Sequence, residues 1–148
     1  MVKGVELMDK QKFVGSWKLL SLKTVGDDKS EFFPFGENAK GRIMYSESGY
    51  MSVVMMVADR VHFFSEDILQ GTDDEKSTAA DSYVSYTGKY SIVDGKVIHN
   101  IDASFFPNWT GIEQARFYEF SGNTLTLTTP PLRVGGVNCI VYLIWEQE

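Results

Sequence analysis

Tyr86-Thr87-Gly88-Lys89-Tyr90-Ser91-Ile92-Val93, then Asp94-Gly95, then Lys96-Val97-Ile98-His99-Asn100-Ile101-Asp102-Ala103-Ser104-Phe105, decides the fold of this chain. Two runs rich in β-branched and aromatic residues flank a two-residue break. Asp-Gly is the dipeptide preferred by a type I′ turn, whose twist matches that of two antiparallel strands. The stretch therefore reads as a β-hairpin, and its surroundings read the same way. Gly41 to Tyr45 and Tyr50 to Val57 flank Glu47-Ser48-Gly49. Ile112 to Phe120 and Thr124 to Thr128 flank Gly122-Asn123, another turn of that class. Phe13 to Val25 supplies a first strand, and Val137 to Trp145 closes the chain as a long β-branched one. About eight strands joined mostly by hairpins predict an all-β, antiparallel up-and-down barrel.

One or two short helices interrupt this pattern. Thr72 followed by Glu75 is a capping box, and Ala79, Ala80, Tyr83 and Val84 recur at helical spacing. The pattern predicts a helix over Asp73 to Ser85 that packs on the barrel or covers its mouth. A helical turn is expected over Leu7 to Phe13. No linker, low-complexity tract or repeat divides the chain, so residues 1–148 read as a single domain.

Composition narrows the functional classes. The net charge of −6 and the scattered Lys and Arg residues argue against nucleic acid as a partner. No apolar run approaches the ~20 residues of a membrane helix. The opening Met1-Val2-Lys3-Gly4-Val5-Glu6 has no apolar segment of a secretory signal, and Cys139 is the lone cysteine. Together these lead us to expect a cytoplasmic protein without a disulfide. Two histidines and one cysteine at no ligand spacing predict no metal site, and no phosphate loop or nucleophile elbow is present. Asn108-Trp109-Thr110 matches a glycosylation sequon, but it reads as the turn after Pro107.

The interior holds the interest. Aromatic residues make up 14% of the chain, which favours a lined cavity. Tyr50-Met51-Ser52-Val53-Val54-Met55-Met56-Val57 is apolar on both faces, so one face meets the interior and the other a helix or a partner subunit. Methionines adapt to irregular ligands, but they also fill ordinary core gaps. His99 lies on the opposite face from Asn100 and Asp102, and Arg116 shares a face with Gln114, Tyr118 and Phe120. An inward arginine is costly unless paired, so Arg116 marks either a structural ion pair or a ligand anchor. His99 is either a satisfied core histidine or an acid–base group. His62, beside Phe63 and Phe64, reads as a surface or mouth residue.

Several of these motifs together resemble the lipocalin-like domain family, a branch of the calycin barrels. Gly15-Ser16-Trp17 is similar to the motif that opens its first strand. Pro34-Phe35-Gly36, Gly41-Arg42-Ile43-Met44-Tyr45, Gly49-Tyr50-Met51-Ser52 and Tyr86-Thr87-Gly88-Lys89-Tyr90 follow in the family's order. So do His99, Phe106-Pro107-Asn108-Trp109-Thr110-Gly111, Arg116, Leu125 to Pro131 and Leu143-Ile144-Trp145-Glu146. The resemblance implies an eight-stranded lipocalin-like barrel that serves as a carrier or as a small biosynthetic enzyme. Two departures stand out. Asn100 occupies the place of a second histidine. Glu146-Gln147 replaces a basic residue that packs against the first-strand tryptophan, a role left for Arg116.

Two functions follow. The first is binding of a small, largely apolar or amphipathic molecule, with Trp17, Arg42, Tyr45, Met51, Met55, Tyr86, His99, Trp109, Arg116 and Tyr118 as candidate lining. The alternative is a cofactor-free isomerase or cyclase, with His99 as acid or base and Arg116 or Tyr118 stabilising developing negative charge. Haem ligation by His99 is a third reading, although nothing else in the sequence calls for a cofactor. The doubly apolar strand at Tyr50 to Val57 makes a homo-oligomer a further expectation.

Overall fold

The computed structural model describes residues 2–148. The chain begins with helix α1 (Val2–Phe13) and continues through strands β1 (Gly15–Gly26), β2 (Glu31–Phe32), β3 (Lys40–Tyr45) and β4 (Tyr50–Met56). A long loop leads to helix α2 (Asp73–Asp81), then to β5 (Tyr83–Val93) and β6 (Lys96–Ser104). A 3₁₀ turn (Pro107–Trp109) precedes β7 (Glu113–Ser121), β8 (Thr124–Thr128), β9 (Leu132–Val134) and β10 (Val137–Gln147).

Each hairpin is set by its turn. φ is 50° at Asp94 and 74° at Gly95, the two positive values that a type I′ turn needs. At Gly122-Asn123 only Gly122 is positive, at 59°, which is the type II′ pattern. Antiparallel pairing runs from β1 through β3, β4, β5, β6, β7 and β8 to β10, and β10 pairs back onto β1. These eight strands close the barrel, with β2 and β9 added as short edges at one end. Closure leaves the barrel wall no open edge.

The β5–β6 register shifts between Thr87 and Gly88. A Cβ at residue 88 would collide with the carbonyl oxygen of Asn100, so glycine is required by close approach of two backbones. Gly88→Ala is expected to cost about 2 kcal/mol or more, read as a fall of about 4–8 °C in the unfolding midpoint. An unchanged midpoint would mean that the wall yields to a methyl group.

One end of the barrel is plugged. Phe13, fully buried at the end of α1, packs edge-on against Tyr45, Tyr118 and Phe120 with ring centroids 4.9–5.0 Å away. The Trp17 indole N–H donates to the Phe13 carbonyl at 2.8 Å, and the Tyr118 hydroxyl donates to Asp9 Oδ2 at 2.6 Å. Helix α1 is thus pinned across the barrel floor, and it is longer than the turn expected from Leu7. No cation lies over Trp17 among the described residues; Lys12 lies over Phe120 instead, 5.7 Å from its centroid.

Helix α2 differs from its expectation in two ways. The capping box forms as read: Glu75 N–H donates to the Thr72 hydroxyl, and Thr72 N–H donates to the Glu75 carboxylate. The helix nevertheless ends at Asp81, and Tyr83 and Val84 begin β5, paired with Met56 and Met55. Nor does α2 bury any residue, so it does not cover the outer face of β4, where Tyr50 and Val54 remain exposed. Cys139 is free and buried.

Candidate ligand-binding cavity

Above the plug lies a cavity of about 180 Å³. Its walls are mostly apolar: Leu22, Ile43, Val53, Leu127, Val141 and Leu143 come from successive strands. Phe35, Trp109, Leu132 and Val134 come from the loops and edge strand at the open end and form the mouth. The volume suits one substituted ring, since a cavity of ~150 Å³ holds a benzene.

Besides Thr24 and Thr129, four polar side chains interrupt this wall. The register brings them in from β5, β6, β7 and β10, where Tyr86, His99, Arg116 and Trp145 all line the cavity. Arg116 is only 7% exposed and makes no ion pair among the described residues. Its Nη1 donates to Gln114 Oε1 at 3.1 Å and to the Ala115 carbonyl at 2.9 Å, both neutral acceptors. Of the two alternatives for an inward Arg116, the structural ion pair is therefore not formed. The Trp145 indole N–H is buried with no hydrogen-bond partner among the described residues.

His99 is held from both sides. Its Nε2 lies 2.7 Å from the Tyr45 hydroxyl and its Nδ1 2.8 Å from the Tyr86 hydroxyl. Burial, and then the charge of Arg116, push its pKa down to about 3, so the ring is neutral at any ordinary pH. Burial also raises the Tyr45 and Tyr86 phenols above their usual range, against the opposing pull of Arg116. Both tyrosines stay protonated.

The ten expected lining residues separate by depth and face. Met55, Tyr86, His99, Trp109 and Arg116 line the cavity. Trp17, Tyr45, Met51 and Tyr118 do not; they lie towards the floor, in or against the buried cluster around Phe13. Tyr45 reaches the site only through His99. Tyr118 is bonded to Asp9 and cannot stabilise charge beside Arg116, contrary to expectation. Arg42 sits on the outer face, where Nε donates to Glu148 Oε1 at 2.6 Å. Its neighbours Ile43 and Tyr45 point inward, and strand alternation turns Arg42 out. Trp145 was missed, although Cys139, Val141, Leu143 and Trp145 alternate along β10 and are all buried.

This arrangement can grip an oxygen-bearing apolar molecule, but it offers little for acid–base work. Both nitrogens of His99 are engaged, so proton transfer would have to pass through Tyr86. A haem iron would find neither nitrogen free. Groups of three or more His, Cys, Asp or Glu able to hold a metal ion are absent among the described residues.

A closed eight-stranded barrel around an internal cavity is the lipocalin-like architecture. The family model for the lipocalin-like domain matches residues 14–148, and this chain belongs to that family. It is also 30% identical over 106 residues to a 4'-hydroxy-3'-methoxypropiophenone carrier protein of Aspergillus oryzae (strain ATCC 42149 / RIB 40). That match covers 66% of this chain and 96% of the carrier. Among solved structures, fatty-acid-binding protein 1 of Echinococcus granulosus aligns over 93% of this chain and 98% of its own, at 17% identity and a TM-score of 0.39. Among the described residues, no helix is long and apolar enough to cross a membrane.

Proposed function

We propose that this chain is a carrier that holds one compact, largely apolar molecule in its barrel, with Arg116 anchoring an oxygen of that molecule. The observation that carries the reading is a buried arginine with no carboxylate partner among the described residues, in a mostly apolar cavity of about 180 Å³. A buried charge left unpaired is unfavourable, and a ligand oxygen that accepts from the remaining guanidinium N–H groups offsets part of that cost. The Aspergillus relative is named as a carrier of an aromatic ketone, which supports a ligand of this kind. Met55, Tyr86, Trp109 and Trp145 complete the proposed contact set, and His99 orients Tyr86.

Titration of acetophenone by calorimetry, with tryptophan fluorescence in parallel, tests this. Trp109 and Trp145 line the cavity, so equimolar binding should quench emission. Palmitate should not compete, because its chain exceeds the cavity. Absence of heat and of quenching with acetophenone and its ring-substituted relatives would overturn the reading. A cytoplasmic setting is part of the proposal and is supported by a single cysteine, buried and free. Self-association through the exposed Leu20, Met44, Tyr50 and Val54 is a further part. Sedimentation at two protein concentrations reads it, and a monomer at both removes it.

A further inference from the structure

The hydrogen-bond order around His99 fixes which polar groups the cavity offers its ligand. A neutral imidazole has one N–H and one lone pair, and His99 has a tyrosine hydroxyl on each nitrogen. Two orders are therefore available. In one, Tyr86 donates to Nδ1 and Nε2–H donates to Tyr45. The Tyr45 hydroxyl proton is then left in the floor cluster, 2% exposed, with His99 its one hydrogen-bond partner among the described residues. In the other, Tyr45 donates to Nε2 and Nδ1–H donates to the Tyr86 oxygen. The free proton is then that of Tyr86, which lines the cavity. Stranding a buried donor is costly, and only the second order puts it where a ligand can accept it.

The neighbouring polar groups are of the same kind. Trp145 lines the same cavity with an unpartnered indole N–H. Arg116 carries only donors, and its bonds to Gln114 and Ala115 use one of its nitrogens. The two lining threonines lie at the β2 and β9 end, away from this pole: Thr24 donates to the Phe32 carbonyl at 3.0 Å, and Thr129 accepts from Val141 N–H at 2.9 Å. No lining residue is a carboxylate.

We infer that the polar pole of this cavity is donor-rich and selects carbonyl compounds over the alcohols of the same shape, with Tyr86 as the specificity-determining residue. The inference rests on the proposed binding function and names the ligand class for it: a compact aromatic ketone or ester. A carbonyl oxygen accepts from the donors and brings none of its own. An alcohol accepts too, but at this pole its hydroxyl proton would find only the Tyr86 oxygen, already accepting from His99. Such mismatches are where polar sites discriminate most strongly.

Acetophenone and 1-phenylethanol differ at that one group and serve as probes. Acetophenone should bind about tenfold or more tightly than 1-phenylethanol. Tyr86→Phe, which keeps the ring, should remove most of that ratio by weakening the ketone alone. Nitrogen-15 NMR of the wild-type imidazole, without ligand, should find the His99 proton on Nδ1. Equal binding of both probes overturns the selectivity while sparing the carrier reading. Binding of neither removes both. A proton on Nε2, or a Tyr86→Phe variant with the wild-type ratio, overturns the assigned hydrogen-bond order.

Discussion

Arg116→Met is expected to make the protein more stable and a poorer binder at once. Removing one member of a buried ion pair usually destabilises strongly, because the other charge is stranded. Arg116 has no such partner among the described residues, so its loss strands the neutral acceptors Gln114 Oε1 and the Ala115 carbonyl. Methionine has similar length and suits an apolar wall. Relief of the buried charge should therefore stabilise by about 1–3 kcal/mol, a rise of about 3–10 °C in the unfolding midpoint. Acetophenone affinity should fall about tenfold or more in the same variant, since a charged donor to the ligand oxygen is lost. Calorimetric unfolding and binding titrations on one preparation check both. A variant that unfolds earlier than wild type would mean that the guanidinium is structural, and the anchor role would fall.

The second large effect is on pH dependence. His99 titrates near 3 in the folded protein, against 6.5 for a free histidine. Between those values the unfolded chain binds a proton that the folded chain refuses. Stability therefore rises with pH across this window and is lost as pH falls through it. The effect begins near pH 6.5, reaches about 2 kcal/mol at pH 5, and amounts to about 5 kcal/mol over the whole gap. The carboxylates of Asp28, Glu75 and Glu148, held below their usual range by hydrogen bonds, act lower down. Their contributions are present above the unfolded carboxylate range and fade only below it. The interval from pH 6.5 to 5 thus isolates His99. His99→Gln, which cannot take up a proton, should flatten the dependence of the unfolding midpoint on pH there. An equal slope in both proteins would show that the imidazole is not responsible.

Much of this barrel could be read from its turns, because a hairpin is a local decision. Asp94-Gly95 sets its own φ values, and the runs beside it alternate towards one interior. The helix was read too far because Tyr83 and Val84 fall at helical spacing, yet pairing with Met56 and Met55 draws them into β5. Local pattern cannot weigh a partner strand that lies elsewhere in the sequence. The site was legible by face but not by depth. Sequence makes His99, Arg116, Trp17, Tyr45, Met51 and Tyr118 alike candidates for the lining. Only the position of Phe13 across the floor separates cavity from plug, and that follows from tertiary packing. Arg42 is a different error, since alternation alone places residues 42 and 45 on opposite faces.

With α1 across its floor, this barrel is a vial rather than a pipe. Whatever enters must leave by the same opening, in reverse order. A guest gripped by its oxygen at Arg116 would go in polar end first and wait with its oily end at the rim. A receiving surface would therefore meet that hydrocarbon end before the functional group. Hand-over would be a withdrawal rather than a flow, and its pace would belong to the loops around Phe35, Trp109 and Leu132.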